Sequence, residues 1–137
     1  PGGRAVAAVW GRRDRCGWAE VFPIMDRRVQ SEVCPLFFQL GTGDALQNAF
    51  RAAGFADVTV ERFSVSLPYE APEDACVAAF RGGPVALAWR KFDEEERESA
   101  RAEYIESIEP YRTGDGSYAI PGEFVVAHGV HSGAQRA

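Results

Sequence analysis

No apolar run in this 137-residue chain approaches the ~20 residues that a membrane-spanning helix requires. No signal-peptide pattern is visible either, an absence that carries no weight if the true N-terminus lies upstream. Cysteine is scarce: Cys16, Cys34 and Cys76 are odd in number, widely spaced and without a Cys-x-x-Cys pair. That spacing argues against a disulfide framework or a zinc site and fits reduced, mostly buried thiols in a cytoplasmic protein. Methionine is scarcer still. Met25 is the only one, and the chain opens on Pro1-Gly2-Gly3-Arg4. A Pro-Gly-Gly turn feeding a short apolar strand is how the middle of an α/β domain reads, so these residues are expected to be the second part of something longer.

A strong basic bias is also missing. The net charge is −5, with six arginines against three acids in residues 1–30 and ten acids against three bases in residues 92–123. This distribution disfavours nucleic acid as a partner. No Ser-His-Asp set, paired carboxylates or activated thiol stands out, so no catalytic residue can be named.

Composition is that of a folded domain. Hydrophobic residues make up 46% and aromatics 12%, enough to argue against disorder. A chain of this length buries roughly 68% of its unfolded surface. Residues 1–131 read as a single subdomain and 132–137 as a frayed tail.

Ala5–Trp10 has the near-continuous apolar pattern of a strand buried on both faces. Val21, Phe22, Met25 and Val29 fall at helical spacing, with Pro23 tolerable in the first turn. Cys34–Leu40 suggests a loop with a short helical turn. Gly43–Ala53 is the clearest helix, with Asp44 or Thr42 as its cap and Gly54 as its stop. Asp57–Val65 alternates as a half-exposed strand. A helix starts at Pro72 and ends at Gly82-Gly83-Pro84, and a short one follows to Arg90. Asp93 with Glu96 predicts a capping box for a long helix ending at Pro110. Ile120–Gly129 reads as the last strand.

Gly41-Thr42-Gly43, with Glu61 twenty residues after Gly41, is similar to a nucleotide-binding fingerprint. Against it stand Leu46 in place of the third glycine, Pro35 in the preceding run, and too little chain after Glu61 for a doubly wound sheet. The alternative is an ordinary turn before a helix. His128 and His131, three apart on an extended segment, would not share a face and have no third ligand nearby, so no metal is expected. Trp10, Trp18, Phe22, Phe37 and Phe38 gather near the carboxyl end of the first strand. They either line an apolar substrate pocket or are plain core.

Taken in order, the Pro1-Gly2-Gly3-Arg4 turn, Phe37-Phe38-Gln39-Leu40-Gly41, Ala52-Ala53-Gly54-Phe55, Tyr111-Arg112 and Pro121-Gly122-Glu123-Phe124-Val125-Val126 resemble the C-terminal half of class I S-adenosylmethionine-dependent methyltransferases. The nearest likeness is to the small-molecule enzymes of the UbiE-like, type 11 group. The resemblance implies an α/β fold, the C-terminal part of a Rossmann-like methyltransferase. Its sheet would be small, three-stranded and mixed, two parallel strands flanking one antiparallel strand, with four or five helices. Ala5–Trp10 would be the family's fifth strand, Asp57–Val65 the sixth and Ile120–Gly129 the seventh, lying between them. The family's S-adenosylmethionine loop and ribose-binding acid have no counterpart here, so the cofactor is not expected to bind this chain alone. The resemblance thus implies the substrate-side portion of a methyltransferase, inactive by itself, that takes a small, partly apolar methyl acceptor. Bared of its neighbours, the first strand or the sheet face would drive homo-oligomerisation. A non-catalytic ligand-binding or dimerisation module, and a dinucleotide-binding enzyme built around Gly41, remain the alternatives.

Overall fold

The computed structural model describes residues 2–29 and 36–133. Strand β1 (Arg4–Trp10) leads through two 3₁₀ turns into helix α1 (Val21–Asp26). Helix α2 (Ala45–Ala52) then precedes strand β2 (Phe55–Tyr69). Helices α3 (Pro72–Arg81), α4 (Ala86–Trp89) and α5 (Glu94–Ile108) follow, and β3 (Tyr118–His131) closes the chain. The fold is α/β. No helix among the described residues is long and apolar enough to cross a membrane.

The sheet order is β1-β3-β2, with the last strand in the middle as expected. The expectation of a mixed sheet needs correction. Both hydrogen-bonded pairs are antiparallel, Ala7 facing Ala127 and Phe63 facing Phe124, so the sheet is antiparallel throughout. β1 and β2 do run in the same direction, but β3 separates them and no parallel ladder forms.

Side-chain alternation divides the sheet into two faces. Val125 and Ala127 point to one, where Leu46 and Phe50 of α2 cover them together with Ala5, Ala7 and Val9. Tyr118 and Ile120 point to the other, beneath Phe22 and Met25 of α1, Phe80 of α3 and Tyr104 of α5. This second helical layer covers only one end of its face. At the uncovered end Val6 is 72% exposed and Phe63 46% exposed.

Local chemistry explains the helix ends. Asp93 Oδ1 accepts from the Glu96 N–H at 2.9 Å while the Asp93 N–H donates to Glu96 Oε2 at 3.2 Å, completing the expected capping box on α5. Pro72 occupies the first turn of α3, where its missing N–H costs nothing. For α2 the expected cap does not form: neither Asp44 nor Thr42 caps it. The Thr42 hydroxyl instead donates to the Phe38 carbonyl at 2.9 Å. β2 runs longer than Asp57–Val65 at both ends, since Ser66, Pro68 and Tyr69 continue its ladder against β3. Near its start a bulge absorbs Asp57, whose φ of 49° suits a short polar side chain. At the C-terminal end, the expected tail begins with residues held in place: the Ser132 N–H and hydroxyl both donate to the Gly54 carbonyl. Residues 134–137 of that tail, and Cys34-Pro35 of the expected loop, lie outside the described residues.

α1 is tied to α5 by Arg27 and Arg28, both hydrogen-bonded to the Glu103 carboxylate. The bonds from Arg28 and then Arg27 hold the Glu103 pKa down to about 2. A depressed carboxylate stabilises the fold above its unfolded pKa of about 4.3 and loses that contribution as pH falls through the folded value. Acid unfolding should therefore show a stability loss between about pH 4.5 and 2 that is flattened in Glu103→Gln. Equal acid sensitivity of the two proteins in chemical denaturation would remove this pair from the account.

Candidate functional site

β1 and β2 point their carboxyl ends toward the helical layer, and there a cavity of about 480 Å³ opens. Trp10 ends β1, Leu67 and Tyr69 end β2, Trp18 and Phe37 close one side, and Tyr104 comes from α5. Small residues of α3 and the Gly82-Gly83-Pro84 turn add to the lining, which carries no charged side chain among the described residues. Such a volume suits a small organic ligand.

Ring geometry fixes the aromatic wall. Trp10 stacks on Phe124 with centroids 4.2 Å apart and meets Trp18 at 4.7 Å. Gly122 makes room for this, because a Cβ there would sit 3.1 Å from the Trp10 ring. Trp18 in turn touches Phe37 edge-on at 5.7 Å. These offset and edge contacts are the favourable aromatic geometries.

Of the five residues expected from sequence, the structure places Trp10, Trp18 and Phe37 on the cavity wall. Phe22 and Phe38 join the same ring cluster but stand behind the wall, 1% and 5% exposed. Sequence reasoning missed Tyr69, Leu67, Tyr104 and the Gly82–Pro84 turn. Leu67 and Tyr69 fell beyond the expected end of the strand, and the turn was read only as a helix stop. Continued period-2 alternation from Val65 through Leu67 to Tyr69 was the available signal.

Burial pushes the Tyr69 and Tyr104 hydroxyls above their ordinary pKa. Both phenols therefore stay neutral near pH 7, able to donate or accept a hydrogen bond without carrying charge. The Trp18 indole N–H is sealed from water and has no hydrogen-bond partner among the described residues. Burial raises the Cys16 thiol, and burial followed by the Glu73 charge pushes Cys76 up to about 11. Neither is an activated nucleophile.

The Gly41-Thr42-Gly43 loop has a different role from anion binding. Arg62 Nη1 donates to the Gly41 carbonyl at 3.0 Å and Nη2 to the Gly43 carbonyl at 2.7 Å, so the loop presents acceptors to a cation. Arg62 also pairs at 2.9 Å with Glu123, whose Oε1 accepts the Arg12 N–H at 3.0 Å. Glu61, the would-be ribose acid, neighbours Arg62 on the strand and so points to the opposite face of the sheet. His128 lies against Thr59, and His131 packs edge-on against Phe55. Among the described residues no three His, Cys, Asp or Glu side chains group as a metal site.

No protein-family model matches the chain, and no curated protein is significantly similar to it in sequence.

Proposed function

We propose that this chain is the substrate-side, C-terminal portion of a Rossmann-like methyltransferase that takes a small, neutral, largely apolar acceptor. The observation that carries the proposal is the uncharged aromatic cavity at the carboxyl ends of two co-directed strands, the place where open α/β sheets bind ligands. The β1-β3-β2 order, with the last strand inserted antiparallel between the other two, supports the family resemblance. Methyl transfer from a sulfonium asks chiefly that the acceptor be held in line, so positioning by a rigid wall is a sufficient contribution from this half.

The described residues do not fit S-adenosylmethionine itself. The glycine loop that most resembled a cofactor loop is closed by Arg62, and Glu61, which only shares the spacing of a ribose-binding acid, points to the opposite face. Calorimetric titration with S-adenosylmethionine or its demethylated product should show no saturable heat. One-to-one binding with a Kd near 10 μM, about −7 kcal/mol, would contradict the assignment. The reading frame upstream of Pro1 supplies the complementary test, since the proposal expects it to encode a glycine-rich cofactor loop.

A second reading, a non-catalytic dimerisation module, is favoured by one observation. β1 is an edge strand with Val6 exposed, and it carries no lysine or proline to block pairing. Light scattering at micromolar concentration should then show a homodimer that Val6→Lys weakens, and a monomer in both proteins would dismiss it.

A further inference from the structure

Where α3, α4 and α5 meet, a second cavity of about 310 Å³ has the opposite chemistry. Arg81, Arg90, Arg97 and Arg101 line it around Trp89, with Glu94 the one acid among the described lining residues. Four positive charges against one is unexpected in a chain of net charge −5. Two of the four have structural work. Arg97 and Arg101 lie over the Trp89 ring, 6.0 and 5.4 Å from its centroid, and Arg97 donates to the Trp89 and Arg90 carbonyls. Glu94 bridges the same two, at 3.6 Å from Arg97 and 3.2 Å from Arg101. Arg81 and Arg90 make no ion pair with any described residue.

We propose that this cavity binds a small phosphoryl anion, of inorganic phosphate to diphosphate size, between the Arg81, Arg90, Arg97 and Arg101 guanidiniums. Clustered guanidiniums repel one another unless an anion sits among them, and their planar forks match phosphate oxygens. Glu94 is the internal counter-ion that the ligand displaces. It is 71% exposed and so is free to swing away. Size and surroundings argue for a compact anion over an extended one. Glu95, Glu96 and Glu98 follow Glu94 on the same helix, and a nucleic acid or anionic membrane would meet their repulsion. Phe80 stacks on Trp89 at 4.3 Å and meets Tyr104 at 5.5 Å, so the aromatic cavity and this one share a wall but no lining arginine.

The test is calorimetric titration of the intact chain with pyrophosphate at low ionic strength, alongside Arg81→Gln/Arg90→Gln and Glu94→Gln. Neither altered arginine is paired or buried, and thermal melts will show that each variant stays folded. Expected are saturable one-to-one binding, a loss of roughly tenfold or more in the double variant, and a gain of affinity in Glu94→Gln. Added salt should weaken all three. The proposal is overturned if pyrophosphate saturates neither the native protein nor Glu94→Gln, or binds the arginine variant equally well. Tighter binding of a single-stranded oligonucleotide or of phosphatidylserine vesicles than of pyrophosphate would overturn it as well.

Discussion

Gly41→Ala should destabilise the protein by on the order of 3 kcal/mol, the upper range for overpacking a closed site. A Cβ at Gly41 would lie 1.8 Å from the Trp10 carbonyl oxygen and 2.6 Å from that of Gly11, both backbone atoms that cannot rotate aside. Relief requires moving the α2 loop off the end of β1, and the Arg62 bonds to the Gly41 and Gly43 carbonyls would be lost with it. Gly43→Ala is the control. Gly43 has a φ of +54° but nothing within 4 Å of an added Cβ, so it should cost about 1 kcal/mol from backbone strain alone. Chemical denaturation of the two variants checks the order. A near-neutral Gly41→Ala would mean that the loop stands clear of β1, and would reopen its reading as an anion-binding turn.

Phe22→Ala should cost about 3–5 kcal/mol, the range for removing a buried phenylalanine ring, and lower the melting temperature by roughly 10–20 °C. Phe22 is 1% exposed and touches Trp18, Phe37 and Phe38 with centroids 5.2 to 5.9 Å away. It braces the cavity wall from behind, and its loss should loosen Trp18 and Phe37 as well. Trp18, only half-buried, is a different case: Trp18→Ala should weaken ligand binding more than it weakens the fold. A small stability loss at Phe22 would show that the wall is not packed as described.

Much of the fold is legible in local chemistry. The Asp93–Glu96 box, Pro72 in a first turn and the strand of β1 each act within a few residues and stand where they were expected, although β1 is not buried on both faces: it is an edge strand whose alternate residues, Val6 among them, are exposed. Strand pairing is less legible, because hydrogen-bond direction depends on which strands become neighbours. The placement of β3 between β1 and β2 was expected, but it leaves the two co-directed strands unpaired with each other, so every ladder that forms is antiparallel and the sheet is not mixed. The cap of α2 failed for a similar reason, since Thr42 found the Phe38 carbonyl in a loop whose path the sequence does not spell out. The candidate site was half legible. Aromatics clustered after β1 signalled Trp10, Trp18 and Phe37, but Phe22 and Phe38 have the same chemistry and only packing separates wall from support. Tyr69 and Tyr104 reach the cavity from elements far away in sequence, and the Gly41-Thr42-Gly43 turn, read against a cofactor loop from its neighbours, could not show that its carbonyls rather than its N–H groups face a partner. The arginine cavity could not be seen at all, since Arg81 and Arg101 are brought together only by the packing of α3 on α5.

The central claim is that the aromatic cavity is a ligand site, and the three tryptophans allow it to be tested directly. Trp10 and Trp18 line the cavity, whereas Trp89 lies in the arginine cluster. With the three indole N–H resonances assigned by nuclear magnetic resonance, the protein would be titrated with a neutral bicyclic phenol such as 2-naphthol. The account predicts saturable shifts of the Trp10 and Trp18 resonances, a stationary Trp89, and loss of the response in Ala78→Leu, which fills the cavity from the surface of α3. Shifts that never saturate, that include Trp89 equally, or that survive Ala78→Leu unchanged would contradict it.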